Sequence, residues 1–150
     1  MWTTCENGHA HWGPRGAAGL LLADAGRVLL QLRAHWAHQG GTWSIPGGAR
    51  EAGESYAEAA LREAEEELGV DASAVALRGS YVARCGAWTY ETVLAVPLGA
   101  LALADRSESA GHRWVPIDEV AGLPLHPSFR LAWDDPAGEL QRFVRSRRTS

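Results

Sequence analysis

The chain has 150 residues, 46% of them hydrophobic, which suits one domain with a packed core. Its formal net charge of −4 excludes a general electrostatic affinity for nucleic acid. Any phosphate group that it binds must therefore be held locally, by a metal ion and a few of its 14 basic residues, all of which are arginines.

The sequence contains no apolar run of about 18 residues and no basic N-terminus followed by an apolar stretch. We therefore expect neither a membrane span nor a signal peptide, and a cytoplasmic location follows as the default. The two cysteines, Cys5 and Cys85, are too few for a disulfide framework.

Residues 1–15 are rich in Trp, His and Gly and predict an N-terminal arm. Cys5, His9 and His11 follow a C-x3-H-x-H spacing that could supply three ligands to zinc. No second cysteine or histidine pair follows at the spacing of a zinc finger. We therefore favour an arm whose tryptophans pack on the domain, and we expect residues 146–150 to be frayed.

Two apolar runs, 17–23 and 27–33, flank the turn sequence Asp24-Ala25-Gly26 and predict a β-hairpin. The second run ends in Arg33, and the following loop contains Trp36. Further strands are expected at 42–45, 74–85, 88–96 and 112–115, a helical turn at 117–121, and helices at 126–133 and 136–145.

The segment 55–68 predicts an amphipathic helix. Ser55 and Glu58 form a capping box that starts the helix at Ser55, and Gly69 is a natural residue to end it. A helical wheel groups five apolar side chains in one arc: Ala57, Ala60, Leu61, Ala64 and Leu68. Three carboxylates share a strip beside that arc: Glu63, Glu66 and Glu67.

Like charges three and four residues apart repel each other, so this strip needs compensation. A divalent cation such as Mg²⁺ or Mn²⁺ fits, because these ions prefer oxygen ligands. A solvated acidic face with Arg62 as its partner is the alternative. The three glutamates alone support the two interpretations equally.

The flanking residues favour the cation. The stretch 48–70 resembles the Nudix box, G-x5-E-x7-R-E-U-x-E-E-x-G-U, where U is aliphatic. The fixed positions are Gly48, Glu54, Arg62, Glu63, Glu66, Glu67, Gly69 and Val70, and Ala64 at the first U is a mild departure. The resemblance implies an α/β Nudix fold over residues 16–145, a mixed β-sheet between helices in an α/β/α sandwich.

The resemblance also implies an activity. Nudix hydrolases cleave a nucleoside diphosphate linked to another group: water attacks a phosphorus of the pyrophosphate, with Mg²⁺ or Mn²⁺ as cofactor. The expected partner is a small nucleotide or nucleoside diphosphate derivative. Neither duplex nucleic acid nor a membrane is expected as a partner, and the sequence does not decide whether the chain forms a homodimer. The main alternative is a Nudix domain that binds nucleotides or partners without catalysis. The linked group and the base are not determined by the sequence.

The resemblance assigns roles to the box residues. Glu63 and Glu67 are the expected primary metal ligands, joined by Glu66 directly or through water and by the carbonyl of Gly48 or Gly47. Arg62 is expected to brace the glutamates. Glu54 would ligate metal or orient the loop before the helix.

Outside the box the assignments are more open. Glu108 is the first candidate for general base and Glu91 the second, although either could be a solvated or structural carboxylate. Arg33 would contact substrate or be a surface charge at a strand end. Trp36, with Trp88, would form an aromatic pocket for the base, or Trp36 would only pack its loop onto the domain.

Overall fold

A computed structural model describes residues 2–4, 10–12, 15–37 and 39–147. The strands are β1 Trp2–Thr4, β2 Ala10–Trp12, β3 Ala17–Asp24, β4 Arg27–Arg33, β5 Trp43–Ser44, β6 Gly47–Ala49, β7 Val75–Cys85, β8 Trp88–Pro97 and β9 Ser109–Pro116. The helices are α1 Tyr56–Leu68, α2 Ile117–Val120, α3 Pro127–Trp133 and α4 Glu139–Arg145, with a 3₁₀ turn at Ala72–Ala74.

Strand β3 is the centre of a mixed sheet. It runs parallel to β8 and antiparallel to β6 and β4, and β8 continues antiparallel into β7. Strand β4 carries β5 on one side and β9 on the other. β1 and β2 form a separate two-stranded ribbon in the segment expected to be an arm.

Side chains from the two faces of the sheet enter two apolar clusters, because successive residues of a strand point to opposite sides. The cluster under α1 contains Ala18, Leu20, Leu22, Leu29, Ala59, Ala60, Ala64, Leu68, Val70, Val75, Val93 and Ala95. The cluster under α2, α3 and α4 includes Leu21, Leu30, Leu94, Phe129, Trp133, Leu140 and Val144. Helices therefore cover both faces, which confirms the α/β/α sandwich.

Most predicted elements are found, with shifted boundaries. Strand β6 was not predicted, because its sequence Gly47-Gly48-Ala49 has no strand propensity and its pairing with β3 is tertiary. Strand β9 begins at Ser109 and helix α4 at Glu139, three residues before and after the expected starts.

Two further observations concern the cysteines and the membrane. Cys85, at the end of β7, is disulfide-bonded, which the count of two cysteines did not predict. Cys5 and His9 lie outside the described residues, as does the side chain of His11, and the possible zinc site that these three residues would form therefore lies outside them as well.

Within the described residues, every helix is too short or too polar to cross a bilayer.

Candidate active site

Helix α1 begins and ends as its caps predict. The Glu58 backbone N–H donates to Ser55 Oγ at 3.0 Å, and the Ser55 N–H donates to Glu58 Oε1 at 2.8 Å. At the other end Gly69 takes the left-handed conformation with φ 72° and closes the last turn. These caps fix which residues are helical, and packing on the sheet then sets which side chains are buried.

The buried side of α1 differs from the wheel. Ala59 and Glu67 are buried together with Ala60, Ala64 and Leu68, whereas the expected Ala57 and Leu61 are only half-buried. The helix is therefore rotated toward its acidic side. This rotation brings Glu67 under the helix instead of leaving it at the rim.

Arg62 ties the acidic residues together. Its Nε and Nη2 donate to the two Glu54 oxygens at 2.7 and 3.0 Å, and Nη1 donates to Glu63 Oε1 at 3.0 Å. The same Nη1 lies 3.4 Å from both Glu66 oxygens, and Nη2 also donates to the Ala49 carbonyl at 3.0 Å. Such a planar, bidentate guanidinium fixes the position of its partners as well as neutralising them.

Glu54 organises the loop before α1. Besides its bidentate bond to Arg62, its Oε1 accepts the Glu51 N–H at 3.0 Å, and its carbonyl accepts a bond from Arg50 Nη1 at 2.9 Å. The hydrogen bond from Arg62 is the main cause that lowers the pKa of Glu54. Glu54 does not line the cavity described below. Its contacts therefore support the loop-orienting role rather than that of a ligand.

Glu67 and Glu63 form a buried acidic pair. The residue Glu67 is 6% exposed and the side chain of Glu63 16%. Burial, followed by the charge of Glu63, raises the pKa of Glu67 to about 7. Burial also raises the pKa of Glu63, although Arg62 opposes this shift. Glu67 Oε2 accepts the Gly47 N–H of β6 at 3.0 Å, so the backbone of the glycine pair holds this carboxylate.

The glycines of β6 permit this close approach. A Cβ on Gly48 would lie 2.5 Å from Glu63 Oε1, and a Cβ on Gly47 would lie 2.6 Å from the Ala18 carbonyl. On β3, a Cβ on Gly19 would lie 2.3 Å from the Tyr90 hydroxyl. These positions therefore allow a backbone, a carboxylate and a phenol ring to meet where larger residues would separate them.

A cavity of about 730 Å³ opens beside these groups. We call one set of lining residues the acidic wall: Gly47, Gly48, Arg62, Glu63, Glu66 and Glu67. A second set of lining residues is the aromatic wall: Trp36, Trp88, Tyr90 and Phe129. Arg33 and Glu108 also line the cavity and form an ion pair with Nη2 3.4 Å from Oε2. Acidic and aromatic surfaces thus share one space.

The cavity brings together eight residues that the sequence nominated for the site, namely Arg33, Trp36, Gly48, Arg62, Glu63, Glu66, Glu67 and Glu108. Trp88 lines it as well, while Glu91 is outside the lining. The sequence did not nominate Tyr90 as a lining residue, nor His126, Ser128 and Phe129, which α3 and its N-cap contribute. An alternating pattern in β8 could have indicated Tyr90, but no local signal places α3 over the cavity.

The buried acidic pair fits a divalent cation. Its oxygens are the hard ligands that such ions prefer, and the charge of Glu63 destabilises the charged form of Glu67, as the charge of Glu66 does for Glu63. Among the described residues no three His, Cys, Asp or Glu side chains converge as a ready-made metal site. Glu66 is 54% exposed and directed toward Arg62, so the fit depends on Glu63, Glu67 and the adjacent Gly48 backbone.

The comparison with known proteins agrees with this geometry. Residues 13–134 match the model of the NUDIX domain. The chain belongs to the NUDIX family. It is 43% identical to RenU, a Nudix hydrolase from M. smegmatis, whose structure superposes with a TM-score of 0.82 over 97% of this chain and 93% of RenU. Nudix hydrolases generally use a divalent metal ion.

Two relatives carry names that refer to nucleoside triphosphates. A Mycobacterium tuberculosis protein named "Putative 8-oxo-dGTP diphosphatase 3" is 46% identical over 143 residues, which cover 88% of this chain and 66% of that protein. The CTP pyrophosphohydrolase of Escherichia coli is 41% identical over 126 residues, covering 81% of this chain and 76% of the relative. The chain therefore spans slightly less than two thirds of the mycobacterial relative.

Proposed function

We propose that this chain is a pyrophosphohydrolase that cleaves a nucleoside triphosphate with Mg²⁺ or Mn²⁺ as cofactor. The observation that carries the proposal is the shared cavity, which a buried acidic pair and an aromatic wall both line. A nucleotide needs both surfaces, one for its phosphates and one for its base. The names of the two curated relatives also refer to nucleoside triphosphates.

The acidic wall would carry the chemistry. Bound between Glu63, Glu67 and the Gly48 carbonyl, a divalent ion would neutralise phosphate oxygens and lower the pKa of the attacking water. Arg62 holds Glu63, and the Gly47 N–H holds Glu67, so both carboxylates are positioned before substrate arrives. Glu66, at the exposed rim, would join directly or through water.

Glu108 is our candidate for general base. It lines the cavity from the loop before β9, and its carboxylate pairs with Arg33, which lines the same cavity. In the proposed step a water oxygen bonds to a phosphorus, its proton passes to Glu108, and the phosphorus–oxygen bond to the leaving phosphate group breaks. Arg33 would contact the phosphates and stabilise their charge as the bond breaks.

The aromatic wall would recognise the base. Trp36 is 65% exposed and lines the cavity, so its side chain is accessible to a ligand there. Trp88 and Tyr90 are alternate residues of β8, and their ring centroids lie 6.3 Å apart. A base could stack on these rings, and 8-oxo-dGTP and CTP are the first substrates to test, since the two relatives are named for them.

The alternative is a domain that binds a nucleotide without cleaving it. Such a domain would not need the complete acidic wall, whereas this chain has every box carboxylate at the cavity or supporting it. The complete set favours catalysis.

The test is a screen of hydrolysis across nucleoside triphosphates, 8-oxo-dGTP, ADP-ribose and dinucleoside polyphosphates. Each reaction contains Mg²⁺ or Mn²⁺ and is followed by ³¹P NMR. The proposal expects a nucleoside monophosphate and pyrophosphate from a triphosphate, and no turnover after chelation. Tight nucleotide binding without any product would instead support the non-catalytic domain, and turnover restricted to ADP-ribose or dinucleoside polyphosphates would overturn the substrate class.

A further inference from the structure

Gln31 is a polar side chain in the apolar interior. It lies in the middle of β4 and is fully buried, with 0% exposure. Neither its amide nitrogen nor its amide oxygen makes a hydrogen bond of acceptable geometry with any part of the chain that the structure describes. Gln31 is therefore a buried, unpartnered donor and acceptor in a strand whose neighbouring interior positions are leucine.

The alternation of β4 places Gln31 beneath the acidic wall. Leu29 enters the cluster under α1, whereas Val28 and Leu30 enter the opposite cluster, so Gln31 faces the α1 side. Two residues further along the same face, Arg33 lines the cavity. Gln31 thus lies between the core and the site.

The group that Gln31 faces is Glu67. Its amide approaches this buried carboxylate of α1 from the side of the sheet. The contact nevertheless falls short of a well-formed hydrogen bond. Glu67 Oε2 is already held by the Gly47 N–H from the other side. The carboxylate therefore accepts one hydrogen bond from the Gly47 backbone, and the Gln31 amide is a second donor beside it that is not yet engaged.

The unpartnered Gln31 side chain lowers the free energy of unfolding. A buried polar group without a partner costs about 1–3 kcal/mol, while an apolar side chain of similar volume would avoid that cost. A polar residue that persists in such a place needs a compensating role, and the adjacent carboxylate supplies it.

We propose that Gln31 is a positioning residue for Glu67: its side-chain N–H donates to the charged carboxylate from beneath the acidic wall while the Gly47 N–H donates to Oε2. The lone pairs of Glu67 that these two donors leave free are then directed toward a divalent cation. This inference rests on the proposed function, because it assigns Glu67 to the cation. Hydrogen bonds that orient a ligating carboxylate typically change metal affinity by about 10- to 100-fold when they are removed.

The test compares Gln31→Met with wild type in substrate-free protein. Methionine has a similar length and no amide. Free Mn²⁺ is followed by electron paramagnetic resonance during titration, and thermal unfolding is recorded without metal. We expect Mn²⁺ affinity to fall about tenfold while the metal-free melting temperature is unchanged or higher. Gln31→Leu is a second variant in case methionine does not pack.

Thr92→Val is the matched control, because Thr92 is also a nearly fully buried polar residue of the sheet and its alternation places it on the face opposite α1. Wild-type Mn²⁺ affinity in both Gln31 variants would overturn the inference, as would equal losses in Gln31→Met and Thr92→Val. Glu67→Gln separates this failure from that of the proposed function. If Glu67→Gln also binds Mn²⁺ normally, the cation assignment fails, and the role of Gln31 fails with it.

Discussion

The acidic and aromatic walls face the same cavity but are built differently. The acidic wall comes from one helix and the adjacent strand, and hydrogen bonds connect Arg62, Glu63, Glu54 and the backbone of Ala49. The aromatic wall comes from the loop after β4, from β8 and from α3. Its Trp36 is mostly exposed, while the carboxylates that would hold metal are mostly buried.

This difference suggests a division of labour, in which the acidic wall acts on the phosphates and the aromatic wall binds the base. A rigid, preorganised wall suits the reacting phosphates, because misplacing a charged group by a small distance costs much of its effect. An accessible side chain on a separate loop, such as Trp36, suits the base, because it can change without disturbing the carboxylates. Chemistry should therefore depend on the acidic wall and substrate preference on the aromatic wall.

The largest effect is expected from Glu67→Gln. It removes the charge of the most buried candidate ligand, and metal contributes several kcal/mol of transition-state stabilisation, so kcat should fall by roughly 10³-fold or more. Steady-state kinetics with saturating Mg²⁺ measure this loss. Glu65→Gln, an exposed position on the same helix, is the control and should retain activity. Near wild-type turnover in Glu67→Gln would refute the metal assignment.

A smaller loss is expected from Glu108→Gln. Glutamine keeps an oxygen that can accept from Arg33 but cannot accept the proton of water, so kcat should fall by roughly 100-fold with little change in KM. Single-turnover kinetics separate this chemical step from product release. Glu119→Gln, an exposed carboxylate of α2, is the control. Equal kcat values for Glu108→Gln and wild type would leave Glu108 as a solvated loop carboxylate.

Metal-free stability should depend on pH through Glu67. The pKa of Glu67 in the folded protein, about 7, exceeds its ordinary value of 4.5, so protonation favours the folded state. The stabilisation is complete below about pH 4.5 and is lost as pH rises through about 7, at a cost on the order of 3 kcal/mol at pH 8.

Thermal unfolding in a metal chelator at pH 5 and pH 8 measures this effect. Glu67→Gln should be more stable than wild type at pH 8 and lose that advantage at pH 5. Parallel pH curves for the two proteins would show that the buried charge does not destabilise the metal-free fold.

The smallest effect is expected from Trp36→Ala. A base stacked on an aromatic ring contributes roughly 1–3 kcal/mol, so KM for the best substrate should rise about 5- to 150-fold while kcat changes less. The melting temperature should be nearly unchanged because Trp36 is 65% exposed. Leu131→Ala, exposed and away from the cavity, is the control. An unchanged KM with a lower melting temperature would mean that Trp36 only packs its loop.

The acidic wall was largely predictable because its signals are local. The caps at Ser55 and Gly69 and the spacing of the carboxylates all fall within one short stretch. The burial of Glu67 was not predictable, because it depends on how α1 packs on the sheet and on the hydrogen bond that Glu67 accepts from Gly47 of β6. A wheel records the angles between side chains but not the direction in which the helix faces the sheet.

The aromatic wall and Gln31 depend on tertiary contacts. Phe129 is more than 90 residues from Trp36 in the chain, and it reaches the cavity only because α3 packs over the sheet. Gln31 sits in an apolar strand, and only its position beneath α1 distinguishes it from a polar residue at a surface.

The division of labour is tested most directly by measuring kcat and KM for 8-oxo-dGTP and CTP with wild type, Glu67→Gln and Trp36→Ala under identical Mg²⁺. The account predicts that Glu67→Gln lowers kcat for both nucleotides by a similar factor and leaves their ratio of kcat/KM nearly unchanged. It predicts that Trp36→Ala changes that ratio mainly through KM. A change in the substrate ratio from Glu67→Gln, or an equal loss of kcat from Trp36→Ala, would contradict it.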